Sequence, residues 1–439
     1  MSLPSNPRRR FTGAVALAGA AVLLTAPAGA AFAQSPAAAE PPAGLFGDAD
    51  PSYDGVWRQS VALLAHHTAG YTPAGEAVDW LTGQQCDDGS FLSYRPDPAQ
   101  PCGDVSGADT NATALAVQAL AALGGHEAAV DSALTWLTGV QNADGGWSFN
   151  PGGASDANST ALVIGAFAAA GQQPGEVERD GNSPYDALLG FQLGCDTANE
   201  NERGAFAWQP DPESGDLFVS DLATVDAVLG AYGSGLVVDP EVPEATAQPL
   251  GCGDAADGGP TEEATASESP DGADALAPNE AAGAAGAAYL AGALDEGGQH
   301  LVSTPPGGEE QADYLATARA VLALSAGGLA EERQGPLNWL IEHHAEWPDY
   351  AASPTALGTL VLAAHASGVP PEDFGGTNLI DQLNALGPDP DDAGGANGGA
   401  GAAEDDDGGP GAVVWVVGAG LLVGIAIGVV LTLRKARRA

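Results

Sequence analysis

Basic residues are nearly missing from this chain: 13 Lys and Arg stand against 58 Asp and Glu over 439 residues. Arg8, Arg9 and Arg10 precede the first apolar run, and Arg434, Lys435, Arg437 and Arg438 close the chain. Between them only Arg58, Arg95, Arg179, Arg203, Arg319 and Arg333 remain, so the central portion carries a charge near −52. Such a field repels nucleic acid and anionic lipid and excludes nucleic acid as a partner. Cysteine is scarce as well, and no C-x-x-C occurs, which removes dithiol redox chemistry. Cys86, Cys102, Cys195 and Cys252 allow three pairings. A short loop closed by Cys86 and Cys102, leaving Cys195 with Cys252, is the expected pattern. No serine sits in a nucleophile elbow. The adjacent histidines His66/His67 and His343/His344 point to different sides of a helix, so neither pair chelates a metal.

What is present begins at the two ends. Three arginines, an apolar run through Leu23 and Leu24 and then Ala31-Phe32-Ala33 read as a signal peptide over 1–33. Arg8-Arg9-Arg10-Phe11 leaves both Sec and Tat export open. Residues 412–433 are apolar and uncharged, long enough to cross a bilayer core of about 30 Å. The basic tail 434–439 that follows belongs on the cytoplasmic side. The expectation is a single-pass cell-membrane protein with its N-terminal domain extracellular. A linker is expected over 34–52 and a folded domain over 53–386. An acidic unfolded insertion near 238–280 and an acidic Gly-rich stalk over 387–411 lack the apolar content that would offset chain ordering.

Internal repetition organises the folded part. Trp80-Leu81 is followed by Gln85, Gly89 and Phe91; Trp136-Leu137 is followed at the same spacing by Gln141, Gly145 and Trp147. Weaker copies run through Leu188 and Gln192 to Gly204 and Phe206, through Tyr289-Leu290 to Leu294 and Gly298, and through Trp339-Leu340 to His344 and Trp347. Between copies stand helix starts in which a capping residue precedes Thr by four: Asp109 and Thr113, Asp156 and Thr160, Ser220 and Thr224, Asp313 and Thr317. Alternation predicts six small-residue helices near 54–67, 109–123, 156–170, 220–232, 313–327 and 353–367. Partners are predicted near 76–84, 128–140, 184–192, 281–294, 336–344 and 378–386. Twelve helices in six hairpins suggest an all-α closed double ring, because closure buries end repeats that an open solenoid would have to cap.

Trp136-Leu137-x3-Gln141-x3-Gly145-x-Trp147 resembles the QW motif of the squalene cyclase and protein prenyltransferase repeats, and the copy at Trp80 is a second instance. The resemblance covers roughly residues 53–386 and implies an α6/α6 toroid, with one C-terminal transmembrane helix added. The run Asp109-Thr110-Asn111-Ala112-Thr113-Ala114-Leu115 is similar to inner-helix starts of the transcobalamin and intrinsic factor barrel, a relation that implies a cobalamin-like corrinoid as ligand. No other cofactor is indicated.

Family chemistry finds few matching residues. The cyclase D-x-D-D string occurs as Asp389-Pro390-Asp391-Asp392, but in the expected stalk. No Asp, Cys and His set matches a prenyltransferase zinc site. Gly251-Cys252-Gly253-Asp254 resembles the start of a thioester motif but continues with Ala255 where the Gln partner is needed. Asn111-Ala112-Thr113 and Asn158-Ser159-Thr160 match glycosylation sequons, at helix starts where the same residues serve capping.

In a closed ring the helix starts converge on one mouth, which makes Asp109, Thr113, Asp156, Thr160, Ser220, Asp221, Thr224, Asp313 and Thr317 the candidate ligand-binding set. Trp147, Trp208 and Trp347 are candidate walls. The leading reading is a membrane-tethered extracellular binding protein, non-catalytic, that captures a small ligand and works with a separate β-domain lid protein or a membrane transporter. The alternatives are an enzyme of the terpenoid cyclase, prenyltransferase or polysaccharide lyase toroid type, and an envelope module that binds other proteins. The central cavity discriminates among them: aromatic walls with two buried acids favour an enzyme, a cavity filled by side chains favours a protein-binding module.

Overall fold

The cap-and-stripe pattern of the sequence becomes twelve α-helices among the residues described by the computed structural model, which are 42–103, 107–252, 276–305 and 308–391. The chain divides into two compact units, 1–391 and 392–439, and all described residues belong to the first. No helix among them is long and apolar enough to cross a membrane. The expected signal peptide (1–33), transmembrane segment (412–433) and basic tail lie outside the described residues.

Odd-numbered helices are α1 (Gly55–Thr68), α3 (Thr110–Leu123), α5 (Ala157–Ala169), α7 (Asp221–Ala231), α9 (Tyr314–Ala326) and α11 (Pro354–Ala366). Even-numbered helices are α2 (Gly75–Gly83), α4 (Glu127–Gly139), α6 (Pro184–Leu189), α8 (Pro278–Glu296), α10 (Ala330–His343) and α12 (Leu379–Asn384). These ranges follow the predicted alternation closely. The exception is α10, whose expected start near 336 falls on Pro336, inside the helix. The one two-stranded sheet among the described residues pairs β1 (Val302–Ser303) with β2 (Gln311–Ala312).

The two sets bury themselves differently. Every residue from Ala112 to Leu120 in α3 and from Ala356 to Ala364 in α11 is buried, as befits helices that are small and apolar on all faces. In α4 only Val130, Ala133, Leu134 and Leu137 are buried, a single stripe at helical spacing. Accordingly the odd helices pack in cyclic order: α1 on α3, α3 on α5, α5 on α7, α7 on α9, α9 on α11, and α11 back on α1. Each even helix packs on the odd helix that precedes it, or on that and the next. Small residues allow close approach; a Cβ on Gly358 of α11 would lie 2.7 Å from a Val61 methyl of α1.

The repeat motif is a set of backbone clamps. Gln141 Nε2 donates to Gly145 O and to Val177 O, both at 2.8 Å, tying its own loop to the chain that leads into α6. Gln85 joins Gly89 O to Ala129 O, and Gln192 joins Gly204 O to Ala282 O, in the same manner. Gly145 sits at φ +88°, and a Cβ there would lie 2.2 Å from Ser183 O, so glycine is required on both counts. In the fifth copy His344 replaces Gln, and its Nε2 lies 3.1 Å from Thr377 Oγ1 in the loop before α12, so it too ties its helix end to another loop. Leu294 occupies the place in the fourth copy and is simply buried.

Both predicted disulfides are formed, Cys86–Cys102 and Cys195–Cys252. Arg95 reinforces the first loop by donating to the carbonyls of Gly83, Gln85, Pro98 and Gln100. The packed body also reaches past 53–386 at both ends. Leu45 and Phe46 are buried, with the Phe46 N–H donating to Gln59 Oε1. At the other end the Asp391 N–H donates to Thr72 O and its carboxylate accepts from the Gly75 N–H, so part of the D-x-D-D string caps α2 rather than lining a cavity. Of the insertion expected near 238–280, residues 253–275 lie outside the described residues, while Val238 is buried and the Ala245 N–H donates to Gly328 O.

Candidate functional site

The interior enclosed by the odd helices is occupied. The chain leaving α7 turns inward at Ser234–Val238, and the Leu236 N–H donates to Gln118 Oε1 of α3 at 2.9 Å. Gln118 in turn donates to Leu162 O of α5. Gly165 makes room for this segment, since a Cβ there would sit 2.8 Å from Gly235 Cα. Beside it Arg319 of α9 lies 2.6 Å from Asp226 of α7, and Asn158 Nδ2 donates to the other Asp226 oxygen at 2.7 Å. Burial raises the Asp226 pKa, while the guanidinium and the amide oppose that rise. The Arg319 guanidinium also lies 5.8 Å from the Trp57 ring centre. Two voids of about 10 Å³ each remain around Leu236 and Arg319. Each is at the lower limit for a single water, so neither holds a macrocycle.

The starts of the odd helices look different. Asp109, Asp156, Ser220 and Asp313 cap α3, α5, α7 and α9, accepting from the N–H groups of Ala112, Ser159, Ala223 and Ala316. The four threonines expected beside them are fully buried one turn further in. Thr113, Thr160 and Thr224 each accept the N–H of the residue that ends the preceding motif, namely Phe91, Trp147 and Phe206, and Thr317 accepts that of Leu301, three residues past Gly298. They hold loops to helices and offer nothing to a ligand. Asp221 is partly exposed and accepts from the Tyr289 hydroxyl. The candidate set therefore splits: the threonines are internal, and the capping acids border the mouth.

A bowl of about 400 Å³ opens there between α1, α3 and α11, lined by Tyr53, Asp54, Trp57, Ser93, Asp109, Ala112, Phe149, Ser353 and Thr355. Of the expected residues only Asp109 lines it. Its two carboxylate oxygens accept from the Ala112 N–H at 2.9 Å and the Ser93 hydroxyl at 2.8 Å. Asp54 lies 3.5 Å from Arg58 Nη1. Burial raises the pKa of Asp54, Asp109, Asp156 and Asp221, in each case against partly compensating hydrogen bonds or, for Asp54, the Arg58 charge.

Exposed apolar side chains gather on the same side. Tyr53, Phe149, Trp208, Phe218 and Leu222 are all exposed, and all stand at or beside the starts of odd helices. The Phe149 and Trp208 carbonyls accept the first N–H groups of α3 and α5. Trp208, an expected wall, is thus at the mouth; Trp147 is fully buried and Trp347 stacks on Tyr314. The signal that marks the site in sequence is the second residue after each motif aromatic. Phe91, Trp147 and Phe206 are buried, and the residues two further on are Ser93, Phe149 and Trp208.

No known family profile matches the chain, and no curated protein matches it by sequence. Among solved structures it is similar to ent-copalyl diphosphate synthase from Streptomyces platensis, with TM-score 0.43 and 16% identity over 72% of this chain and 50% of that one. It is also similar to a protein from Actinoplanes, with TM-score 0.40 and 17% identity over 75% and 80% of the respective chains. The chain thus spans half the length of the synthase, and both likenesses concern helical architecture only. Among the described residues no group of His, Cys, Asp or Glu is arranged to hold a metal ion.

Proposed function

We propose that this protein is a surface-tethered binding module built on an α6/α6 toroid, and that it takes its ligand at the mouth of the ring rather than inside it. The cyclic packing of the odd helices supports the toroid. The filled interior, with voids of about 10 Å³ around Leu236 and Arg319, is the arrangement expected of a module that binds other proteins; the observation that carries the small-ligand reading instead is the open bowl of about 400 Å³ at the helix starts. The latter falls in the range of small-ligand sites, which run from about 300 to 1,000 Å³. Nothing in the interior supports a corrinoid, and that version of the reading is set aside. Attachment by 412–433 and delivery to a transporter or lid protein belong to the proposal.

The test is a small-molecule screen against wild type, Phe149→Ala and Leu236→Ala. Ligands lost in Phe149→Ala and retained in Leu236→Ala support the mouth. Ligands lost only in Leu236→Ala, or gained only when that side chain is removed, assign binding to the interior and overturn the reading.

One observation favours the toroid-enzyme alternative: Asp226 is a carboxylate raised by burial inside the ring, near Trp57 and Arg319. That reading requires the Ser234–Val238 segment to leave and Arg319 to release the acid. Turnover of an isoprenoid substrate that disappears in Asp226→Asn while the fold is retained would establish it.

A further inference from the structure

We infer that the bowl between α1, α3 and α11 is a cage for a small organic cation, with an alkylated ammonium head as the chemistry it selects. The inference rests on the mouth reading above and specifies its ligand. Three aromatic side chains, Tyr53, Trp57 and Phe149, line one cavity together with two carboxylates, Asp54 and Asp109. A ring face attracts a cation through its quadrupole, and a carboxylate within a few ångströms adds a Coulomb term that grows as water is excluded. No basic side chain lines the bowl. Arg58 beside it is buried and already spans Asp54 and the Ala49 carbonyl.

Trp57 separates the bowl from the interior, since it lines both the mouth cavity and one inner void. Arg319 is on the inner side, and its charge is balanced by Asp226 at 2.6 Å. The ion pair leaves the Trp57–Arg319 stack near neutral and the bowl free of a competing net positive charge. Phe149, 48% exposed, and Tyr53, 89% exposed, have little protein packed on them and so keep ring surface for a ligand.

The hydrogen-bond pattern selects among cations. Both oxygens of Asp109 are already engaged, by the Ala112 N–H and by Ser93. At Asp109 the bowl therefore supplies charge and ring contact more readily than fresh acceptors, while Asp54 meets Arg58 through one oxygen. A primary ammonium would give up hydrated N–H groups on entering such a site, whereas a quaternary head has none to lose.

The experiment uses the full chain carrying 5-fluorotryptophan, with the Trp57 fluorine resonance assigned by its loss in Trp57→Phe. Choline chloride is titrated against 3,3-dimethyl-1-butanol, its uncharged isostere, and against N-acetyl-lysine amide, with sodium chloride matched throughout. Choline is expected to shift the Trp57 signal saturably and to bind about tenfold more tightly than the isostere. It should bind more tightly than the primary ammonium, and Phe149→Ala and Asp54→Asn should each weaken it by about three- to tenfold. Equal binding of choline and the isostere, or a shift reproduced by salt alone, overturns the cage. If uncharged compounds move Trp57 and choline does not, the mouth remains the site and only the cation inference fails. If no compound in the screen reaches Trp57, both fail.

Discussion

The interior enclosed by the odd helices and the mouth at their starts both bury carboxylates, and they treat Asp226 and Asp109 in opposite ways. Asp226, inside, is given an arginine at 2.6 Å and an amide at 2.7 Å. Asp109 and Asp156, at the mouth, receive only backbone N–H groups at helix starts and serine hydroxyls. An arginine inside completes a closed, filled core. Asp54 at the mouth meets Arg58 at 3.5 Å, but Asp109 and Asp156, with hydrogen bonds and no counterion, leave a negative, partly dehydrated rim. The first arrangement is a structural solution to burying charge; the second leaves an electrostatic deficit that a ligand can relieve.

The strongest way to break this comparison is to remove the inner cation. Arg319→Met is expected to cost about 3–5 kcal/mol, because an unpaired buried carboxylate remains, and adding Asp226→Leu should recover most of the loss. Denaturant unfolding of the single and double variants measures both. A loss near zero in the single variant would mean that the interior is hydrated, and the contrast with the mouth would disappear. Next in size is Gly145→Ala, which forces a side chain into φ +88° and against Ser183 O, and is expected to cost about 1–3 kcal/mol or more without touching the bowl.

Thr160→Val sharpens the division within the mouth residues themselves. It leaves the buried Trp147 N–H without its acceptor and should cost about 1–3 kcal/mol in stability while ligand affinity stays unchanged. Loss of binding at full stability would instead make the threonine a ligand contact.

The smallest effect is on pH dependence. Asp109 and Asp156 have folded pKa values raised above the ordinary 3.8 by burial, so the native state takes up protons before the unfolded state does. Their stabilising contribution is complete below that ordinary value and is lost as pH rises through the raised ones. Acidification from pH 7 toward the raised values should therefore increase the melting temperature. Asp156→Asn, which keeps a good helix cap, should flatten the rise. A melting temperature that falls over this range in wild type, or an unchanged slope in the variant, would contradict the assignment.

Much of the fold was legible because its rules are local. Helix starts were readable at Asp109, Asp156, Ser220 and Asp313 since a cap acts within three residues, and the structure forms each of those bonds. The Gln-Gly-aromatic spacing was readable for the same reason. The candidate site was legible only in part. Asp109 lines the bowl, but Thr113 and its equivalents carry the same sequence signal as a polar rim while lying one turn inside it. Tyr53 and Phe149 escaped notice because an aromatic in a loop has no periodicity that distinguishes packing from exposure, and Trp57 because a single aromatic in the first turn of α1 reads as core.

The sequence alone determined an acidic chain of alternating small-residue and amphipathic helices, joined by clamped loops and closed by two disulfides whose pairing its spacing anticipated. Whether the space between the odd helices is hollow was decided only in three dimensions. Ser234–Val238 is a short apolar stretch after α7 with no periodicity of its own, and it becomes a plug because Gln118, 118 positions away, captures the Leu236 N–H where Gly165 leaves space. Cavity volume is the residue of many such long-range placements in a close-packed interior, and no local pattern encodes it.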